Sequence, residues 1–196
     1  PAVRCANQLS GGKRAFESMA GSGGAGIRDL DTSNLDSFEK MFTRAKEFDQ
    51  NLSGWNTANV TTIAYMFQEA PQFTNGGDPG INTWDTRKVT KMNDAFDRAV
   101  SFNHDLSGWD TSEVTTMYAM FYGASSFNGS VSSWNTSKVS KMKSMFLSAV
   151  AFNRDLSHFD VGLVTDMSSM FRGAKVFNQD ISAWTTGNVS DMAYMF

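Results

Sequence analysis

A 25-residue unit that repeats from about Leu30 to Phe196 constrains this chain more than any other feature of its sequence. The clearest copy is FNHDLSGWDTSEVTTMYAMFYGASS, residues 102–126. A partial copy precedes the first full one, and the later copies open at Phe48, Phe73, Phe102, Phe127, Phe152 and Phe177, at spacings of 25, 29, 25, 25 and 25 residues. Such regular spacing predicts a repeat architecture, in which each unit buries its apolar face against its neighbours.

The apolar residues fall in fixed columns when each unit is numbered from its opening phenylalanine, with allowance for the longer second unit. Position five is Leu, Ile or Val, position eight is Trp except at Phe159, and position thirteen is Val. Positions sixteen and nineteen are mostly Met, position twenty is Phe, and position twenty-three is Ala. These columns are predicted to form the core, with Phe and Trp in continuous aromatic ladders.

Two periodicities inside the unit predict its secondary structure. Positions thirteen, sixteen, nineteen or twenty, and twenty-three step by three and four, as one face of an α-helix does. The D-L-S-x-W segment at positions four to eight is short, apolar and bounded by Asn and Asp, which is typical of a brief strand. The [DN]-T-S between them supplies side-chain oxygens that can accept the first N–H groups of a helix. The expected fold is therefore an α/β repeat solenoid of strand–turn–short-helix units.

The repeat phrase FNxD[LI]SxW[DN]TSxV[TS]xMxxMFxxA resembles the BspA-type leucine-rich-repeat-like proteins in their DUF285 form, over about Leu30 to Phe196. The resemblance implies a right-handed solenoid with parallel strands on one face. It also implies a surface or secreted protein, with adhesion or partner binding as the usual role and no catalytic residues. The chain departs from the phrase at the insertion after Phe73 and at HFDVGLV, residues 158–164.

The ends of the chain are predicted to differ from the regular units. Residues 1–29 are rich in glycine and are interpreted as an N-terminal cap on the solenoid of residues 30–196, because an uncovered end unit exposes an apolar face. The last unit stops at Phe196, before its position-twenty-three alanine. We expect either that the natural chain continues or that a partner covers this end, with Met195 and Phe196 in contact with it.

An insertion within residues 74–83, TNGGDPGINT, adds four residues between Phe73 and Trp84. Insertions in repeat proteins map to loops on one face, which is often the binding face. The Gly-Gly-Asp-Pro-Gly run is also ordinary turn chemistry, so a solvated turn without a partner is the alternative. On the first interpretation Asn75, Asp78 and Asn82 are partner-binding residues.

Bulk properties exclude several function classes. The net charge is −3, from 17 basic and 20 acidic residues, which gives no basis for nucleic acid as a partner. No apolar run approaches the roughly 18 residues that a membrane span requires. The single cysteine, Cys5, cannot form an internal disulfide, and His104 and His158 fall in different columns with no nucleophile beside them. The chain is therefore predicted not to be an enzyme and to need no cofactor.

Two repeated patterns resemble metal sites, and each has a structural alternative. Met-x-x-Met at positions sixteen and nineteen could bind Cu(I), but Phe38 and Ala95 share those columns and favour a core role. Asp85 and Asp110 share position nine in adjacent units and could flank Ca²⁺. Asn135 replaces them in the next unit, which favours capping of the backbone over metal binding.

The polar columns leave three functions open. The first is a protein-binding or adhesion module at a cell surface or outside the cell. The second is a structural linker or scaffold subunit of a larger assembly. The third is an ice- or glycan-binding surface built from the Thr and Ser residues at positions ten and fourteen, for which capping and solvent exposure are the alternative. Lys88, Glu113 and Lys138 at position twelve predict charge pairing between units, and Lys91 and Lys141 at position fifteen widen that patch.

Overall fold

The repeats stack with equivalent positions side by side in the computed structural model, which describes residues 27–28 and 30–196. Position fifteen of each unit forms a single parallel bridge with position fifteen of the next. The bridges are Ser37–Thr62, Thr62–Lys91, Lys91–Thr116, Thr116–Lys141, Lys141–Asp166 and Asp166–Asp191. The predicted N-terminal cap, residues 1–29, lies outside the described residues except for Ile27 and Arg28, and stays a prediction.

The predicted α/β solenoid of strands and short helices, like a leucine-rich repeat, is wrong. Residues 30–196 contain no α-helix and no strand longer than one bridged residue. Their only helices are two 3₁₀ segments in the insertion, Asn75–Gly77 and Pro79–Thr83. The D-L-S-x-W segment is a turn and not a strand, since the N–H of position eight donates to the carbonyl of position five, as from Trp109 to Leu106 at 3.1 Å.

Positions sixteen to twenty-two, predicted as helix, are a run of turns that also hydrogen-bonds to the next unit. Every second N–H donates to a carbonyl of the following unit, at the repeat position one lower than its own. In the unit that opens at Phe48 these bonds are 2.7–3.1 Å long and run from Ile63 to Lys91, Tyr65 to Asn93, Phe67 to Ala95 and Glu69 to Asp97. The intervening N–H groups close turns within the unit: Met66 to Ile63, Gln68 to Tyr65 and Ala70 to Phe67. In this unit the N–H of position seventeen belongs to neither set and donates to the side chain of position fifteen, from Ala64 to the Thr62 hydroxyl at 3.2 Å. Every backbone donor from Ile63 to Glu69 therefore has a partner, as burial requires.

Left-handed residues explain why this segment is not a helix. The residues at positions eighteen and twenty-two have φ between 49° and 74°: Lys40, Arg44, Tyr65, Glu69, Asp94, Arg98, Ala119, Gly123, Ser144, Ser148, Ser169, Gly173 and Tyr194. An α-helix needs φ near −63° at every residue, so a left-handed residue every fourth position ends it. A positive φ is what the third residue of a type II turn requires, and positions eighteen and twenty-two are the third residues of their turns.

The core consists of the predicted columns, and the phenylalanine ladders are confirmed. The tryptophan column is stacked only in part, with ring centroids 6.2–6.5 Å apart in the pairs Trp84–Trp109, Trp134–Phe159 and Phe159–Trp184. The position-twenty Phe of each unit stacks on the Phe that opens the next, with ring centroids 3.7–4.0 Å apart. Along the stack, the rings of each phenylalanine column lie 5.5–6.0 Å apart. Phe121 and Phe127 are fully buried, and each such side chain contributes roughly 1.5–3 kcal/mol of burial free energy. The Met and Ala columns are buried among them in the interior units.

The tryptophan column adds a hydrogen bond between units. Each indole N–H donates to the position-five carbonyl of the preceding unit over 2.8–3.3 Å. Phe159 has no such donor, but the ring Nε2 of the adjacent His158 lies 3.1 Å from the same carbonyl, that of Val131. His158 therefore replaces the indole donor in this unit, with its Nε2 protonated.

The left-handed turns predict an unusual response to glycine. Ser169, at position eighteen, has a φ of 57°, and this left-handed conformation costs a non-glycine residue roughly 1–2 kcal/mol. Glycine avoids that strain, but the greater conformational entropy that it gives the unfolded chain offsets about 0.5–1 kcal/mol of the gain. We expect Ser169→Gly to raise the free energy of unfolding by up to about 1 kcal/mol in urea titrations. In a helix the same change would lower it. Ser125→Gly, at a position without positive φ, is the control and should lower the free energy.

The role of His158 predicts a rescue. His158→Ala should lower the free energy of unfolding by about 1 kcal/mol, because the Val131 carbonyl loses one of its two hydrogen bonds. Adding Phe159→Trp to that variant should restore most of the loss by supplying an indole N–H. The same Phe159→Trp change in the wild-type background should gain less, because His158 already occupies the carbonyl. Equal gains in the two backgrounds would contradict the replacement.

Candidate binding surface

Aspartate and asparagine at position nine satisfy backbone donors two residues further on. Their side-chain oxygens accept the N–H of position eleven over 2.9–3.2 Å in Asp31, Asn56, Asp85, Asp110, Asn135 and Asp160. The predicted hydrogen bond from the backbone to the position-nine side chain is therefore present, but it closes a turn, because no helix begins there. Hydrogen bonds from Ser112 lower the pKa of Asp110, and those from Arg87 lower the pKa of Asp85. Both carboxylates are stabilised within the chain.

The hydroxyl columns are also engaged inside the stack. The position-ten threonines are buried except Thr186 in the last unit. The hydroxyl of Thr86 donates to the Asp110 carbonyl of the next unit at 2.9 Å, and Thr111 and Thr136 make the equivalent bond. Position-fourteen hydroxyls donate backwards, as from Thr115 to the Thr90 carbonyl at 3.2 Å. Most protons of the predicted hydroxyl lattice are therefore used by the protein itself.

An asparagine ladder at position two is a structural feature that the sequence interpretation missed. The Oδ1 of Asn103 accepts the N–H of Asn128 at 2.7 Å, and Asn128 and Asn153 repeat this bond toward the following unit at 3.0 and 2.9 Å. The signal was present in the sequence, since Phe-Asn opens four consecutive units. Its meaning depends on the stacking register, because only neighbours one unit apart can form the bond.

Charged side chains pair between units on the exposed surface. Lys138 and Glu113 form the predicted position-twelve pair at 2.6 Å, but Lys88 bonds to Asn59 at 2.9 Å and not to Glu113. At position twenty-two, Glu69 lies between Arg44 at 3.1 Å and Arg98 at 3.4 Å. These exposed pairs each contribute under about 1 kcal/mol. Their main effect is that the positive charges of the paired lysines and arginines are balanced by a nearby carboxylate.

The insertion, which was predicted to contact a partner, folds back on the preceding unit. Asn75 is fully buried; its Oδ1 accepts the N–H of Leu52 at 2.7 Å and its amide donates to Ser53 and to the Asp78 carbonyl. Hydrogen bonds from Gly80, Ser53 and Asn51 lower the pKa of the partly exposed Asp78. A separate bond joins the Asn82 side chain to the N–H of Gly108 at 2.7 Å. These contacts attach the loop to the units on either side, and partner binding by its residues stays a prediction.

The other predicted partner residues lie in the last unit, four units from the insertion, so the structure does not bring the two groups together. Met195 is partly buried against the core. Phe196 is 71% exposed and continues the ladder by stacking on Phe171 at 5.7 Å. Tyr194 beside it is 72% exposed. A partner at this end stays a prediction.

Asp94 and Asp97 form a buried acidic pair that no other unit contains. Burial is the main cause that raises the pKa of Asp94 to about 6, with a further contribution from the charge of Asp97. Burial also raises the pKa of Asp97, whose Oδ2 accepts a hydrogen bond from Gln68 at 2.9 Å. The Asp97 Oδ1 has no hydrogen-bond partner among the described residues, and Arg98 Nε lies 3.9 Å from it. The pair is electrostatically costly at neutral pH.

Asp94→Asn should therefore stabilise the protein in a pH-dependent way. The folded-state pKa lies above the unfolded value, so stability is lost as pH rises from about 4 to about 6, and the cost persists above that range. We expect the variant to gain on the order of 2 kcal/mol in free energy of unfolding at pH 7 and little at pH 3.5. Urea titrations across this range measure the difference.

The control for this titration is Asp180→Asn, because hydrogen bonds from Ser182 lower the pKa of Asp180. This exposed variant should lose stability at pH 7 relative to the wild-type chain, and the loss should vanish at acid pH. A gain for Asp94→Asn that is the same at every pH would contradict burial of its charge.

An open cleft of about 520 Å³ crosses three successive units on the face of the position-fifteen bridges. Its lining consists of Lys91, Asn93, Thr115, Thr116, Tyr118, Ser140 and Lys141. The two lysines belong to the charged patch predicted from the sequence, whereas Asn93 and Tyr118 carry no sequence signal. Position seventeen, which both occupy, varies from unit to unit and therefore gave no repeated signal.

The described residues contain neither a cluster of metal-binding side chains nor a helix that could span a membrane. Among them no three His, Cys, Asp or Glu side chains are grouped to hold a metal ion. The methionine pairs of the interior units, such as Met142 and Met145, lie in the hydrophobic core. No helix in residues 30–196 has the length and apolarity needed to cross a bilayer.

Comparison with known families gives one result. The family described as "Mycoplasma protein of unknown function, DUF285" matches three overlapping segments, residues 13–110, 76–151 and 105–196, which together span nearly the whole chain. The searches of curated proteins and of solved structures give no match.

Proposed function

Because the chain belongs to the DUF285 family, whose function is unknown, its role must be argued from its surface, and we propose that it is a non-enzymatic binding module. The cleft formed by Lys91, Tyr118 and Lys141 carries this proposal. It is a shallow, open depression in which polar side chains of three units and one aromatic ring lie side by side, available to a ligand. The face around it is the one on which the module meets its ligand.

The contrast between fixed and variable columns supports the choice of this face. Core columns keep the same residue type through the stack, whereas position fifteen changes from Thr116 to Lys141 to Asp166 while the backbone bridges continue unchanged. Position seventeen varies in the same way, from Asn93 to Tyr118. A rigid backbone with variable exposed side chains is how repeat proteins build extended binding surfaces.

We place the module outside the cell or at its surface and give it an adhesive role, on the resemblance of its repeat phrase to BspA-type surface proteins. The scaffold alternative predicts that the chain stays with neighbouring proteins through purification. The ice-binding alternative is less favoured, because the position-ten and position-fourteen hydroxyls donate mainly to carbonyls within the stack.

The test is binding of the fluorescently labelled full chain to intact cells and surface extracts of the organism that makes it. We expect saturable binding by the monomer and its loss in a variant that combines Lys91→Gln, Lys141→Gln and Tyr118→Ala. The matched control combines Lys46→Gln and Lys175→Gln, two exposed lysines at position twenty-four, and should bind as wild type. Both variants should unfold at the wild-type urea midpoint.

Three outcomes would contradict the proposal. Equal binding by the cleft variant and the control would place recognition elsewhere. Absence of cell binding together with a stable native complex in purification would favour the scaffold role. Reshaping of growing ice crystals by the chain would favour the ice-binding role.

A further inference from the structure

We propose that the cleft binds an acidic oligosaccharide, one that bears a carboxylate or sulfate on its sugar rings. This inference rests on the proposed binding function and names the ligand class of the same site. It follows from four properties of the lining residues: their unpaired positive charge, their exposed aromatic ring, their hydrogen-bonding groups, and the engagement of the backbone beneath them.

The charge of the cleft selects an anion. Lys91 and Lys141 are exposed and form no ion pair among the described residues. The neighbouring Lys138 and Lys143 are paired, with Glu113 at 2.6 Å and Asp166 at 3.8 Å. Two lysines without an ion-pair partner among the described residues therefore face this cleft in a chain whose net charge is −3, and the acidic residue that bridges to Lys141, Asp166, lies outside the lining. Such a local field concentrates anionic ligands.

The spacing of the two lysines suits an extended ligand that carries acidic groups at intervals. Lys91 and Lys141 both bridge to Thr116, so they lie two repeat steps apart, about 10 Å at the spacing of paired strands. A single phosphate or sulfate ion held between the two flexible side chains would leave the rest of the cleft unoccupied. A chain of sugar units that carries acidic groups at intervals can reach both lysines and also cover the surface between them.

The aromatic ring between the lysines favours a sugar. Tyr118 is 39% exposed and its N–H donates weakly to the Thr116 hydroxyl at 3.5 Å, a contact that links it to the bridge residue. The ring offers a flat apolar surface, on which the C–H face of a sugar ring can pack while the sugar hydroxyls remain free to bond. An inorganic anion has no apolar face to place there.

The remaining groups supply hydrogen bonds of both kinds. The hydroxyls of Thr115 and Ser140 donate to carbonyls inside the stack at 3.2 and 3.3 Å, so toward the cleft they can act as acceptors for sugar hydroxyls. The Asn93 amide donates to Asp94 at 3.2 Å, and its oxygen is a further acceptor. Donors come from the lysines. This mixture matches a polyhydroxylated ligand better than a purely anionic one.

The backbone beneath the cleft disfavours an acidic peptide. The carbonyls of Lys91, Thr116 and Lys141 already accept N–H groups from the preceding unit. An extended peptide gains much of its affinity by pairing with an open sheet edge, and this face offers no free row of carbonyls. Nucleic acid would require a larger basic patch than two lysines.

Isothermal titration of the full chain with a hyaluronan tetrasaccharide, which alternates uronic acid and N-acetylated sugars, tests the proposal. We expect binding that weakens with added salt. Tyr118→Ala and the double variant Lys91→Gln/Lys141→Gln should each weaken it roughly tenfold, through loss of ring packing or of ion pairing. Lys46→Gln/Lys175→Gln should bind as wild type. A heparin-derived tetrasaccharide, tested in parallel, separates sulfate from carboxylate as the recognised group, and binding of either supports the proposal.

Four outcomes would overturn it. Equal binding of a neutral N-acetylglucosamine tetramer would remove the acidic requirement. Tighter binding of a polyglutamate peptide would assign the cleft to a protein partner. Equal affinity in the cleft variants and the control would place the sugar elsewhere. Failure of both acidic tetrasaccharides to bind, while cleft-dependent binding to cells persists, would overturn the ligand class alone. By contrast, absence of cell binding with oligosaccharide binding retained would overturn only the proposed cell-surface role.

Discussion

The stack depends on how the backbone N–H groups of positions sixteen to twenty-two are divided. One set closes turns inside the unit, and the alternate set donates to the neighbouring unit. In an isolated unit that second set would bond to water, but units that cover one another's apolar faces must pair these donors, because each one buried without a partner costs roughly 1–3 kcal/mol. The apolar face therefore requires stacking, and the backbone dictates how the units stack. The same bonds fix the register that aligns the aromatic rings, the asparagine ladder and the exposed columns.

The sequence predicted the contents of the core but not the path of the backbone. Val114, Met117, Phe121 and Ala124 were assigned to the interior from their columns, and all four are buried. The helix assigned to them failed because steps of three and four residues also arise from consecutive four-residue turns. The distinguishing signal would be glycine at the left-handed positions, and most units have Ser, Arg or another side chain there instead. Side-chain periodicity alone does not separate the two conformations.

The candidate site was less accessible to prediction than the core for a related reason. The insertion was predicted to bind a partner because it interrupts the repeat, yet Asn75 and Asp78 form their hydrogen bonds mainly within the chain. Tyr118 was not predicted to be a binding residue, since a residue that occurs once in a variable column forms no repeated pattern. Only the stacking register places it between Lys91 and Lys141. A binding face in a repeat protein is a property of neighbouring units and cannot be read from one unit.

The exchange at Phe159 shows how differently the two kinds of column tolerate change. Loss of the indole at position eight removes a donor to a buried carbonyl, and the chain supplies another from His158. No compensation accompanies the changes at position fifteen, where the bridges pass through Lys141 and Asp166 alike. Substitutions in the core columns are constrained by packing and by hydrogen bonds, whereas those on the cleft face leave the backbone bridges between units unchanged. A fold arranged in this way can change its ligand without changing its structure, which is why the cleft face is where function should be sought.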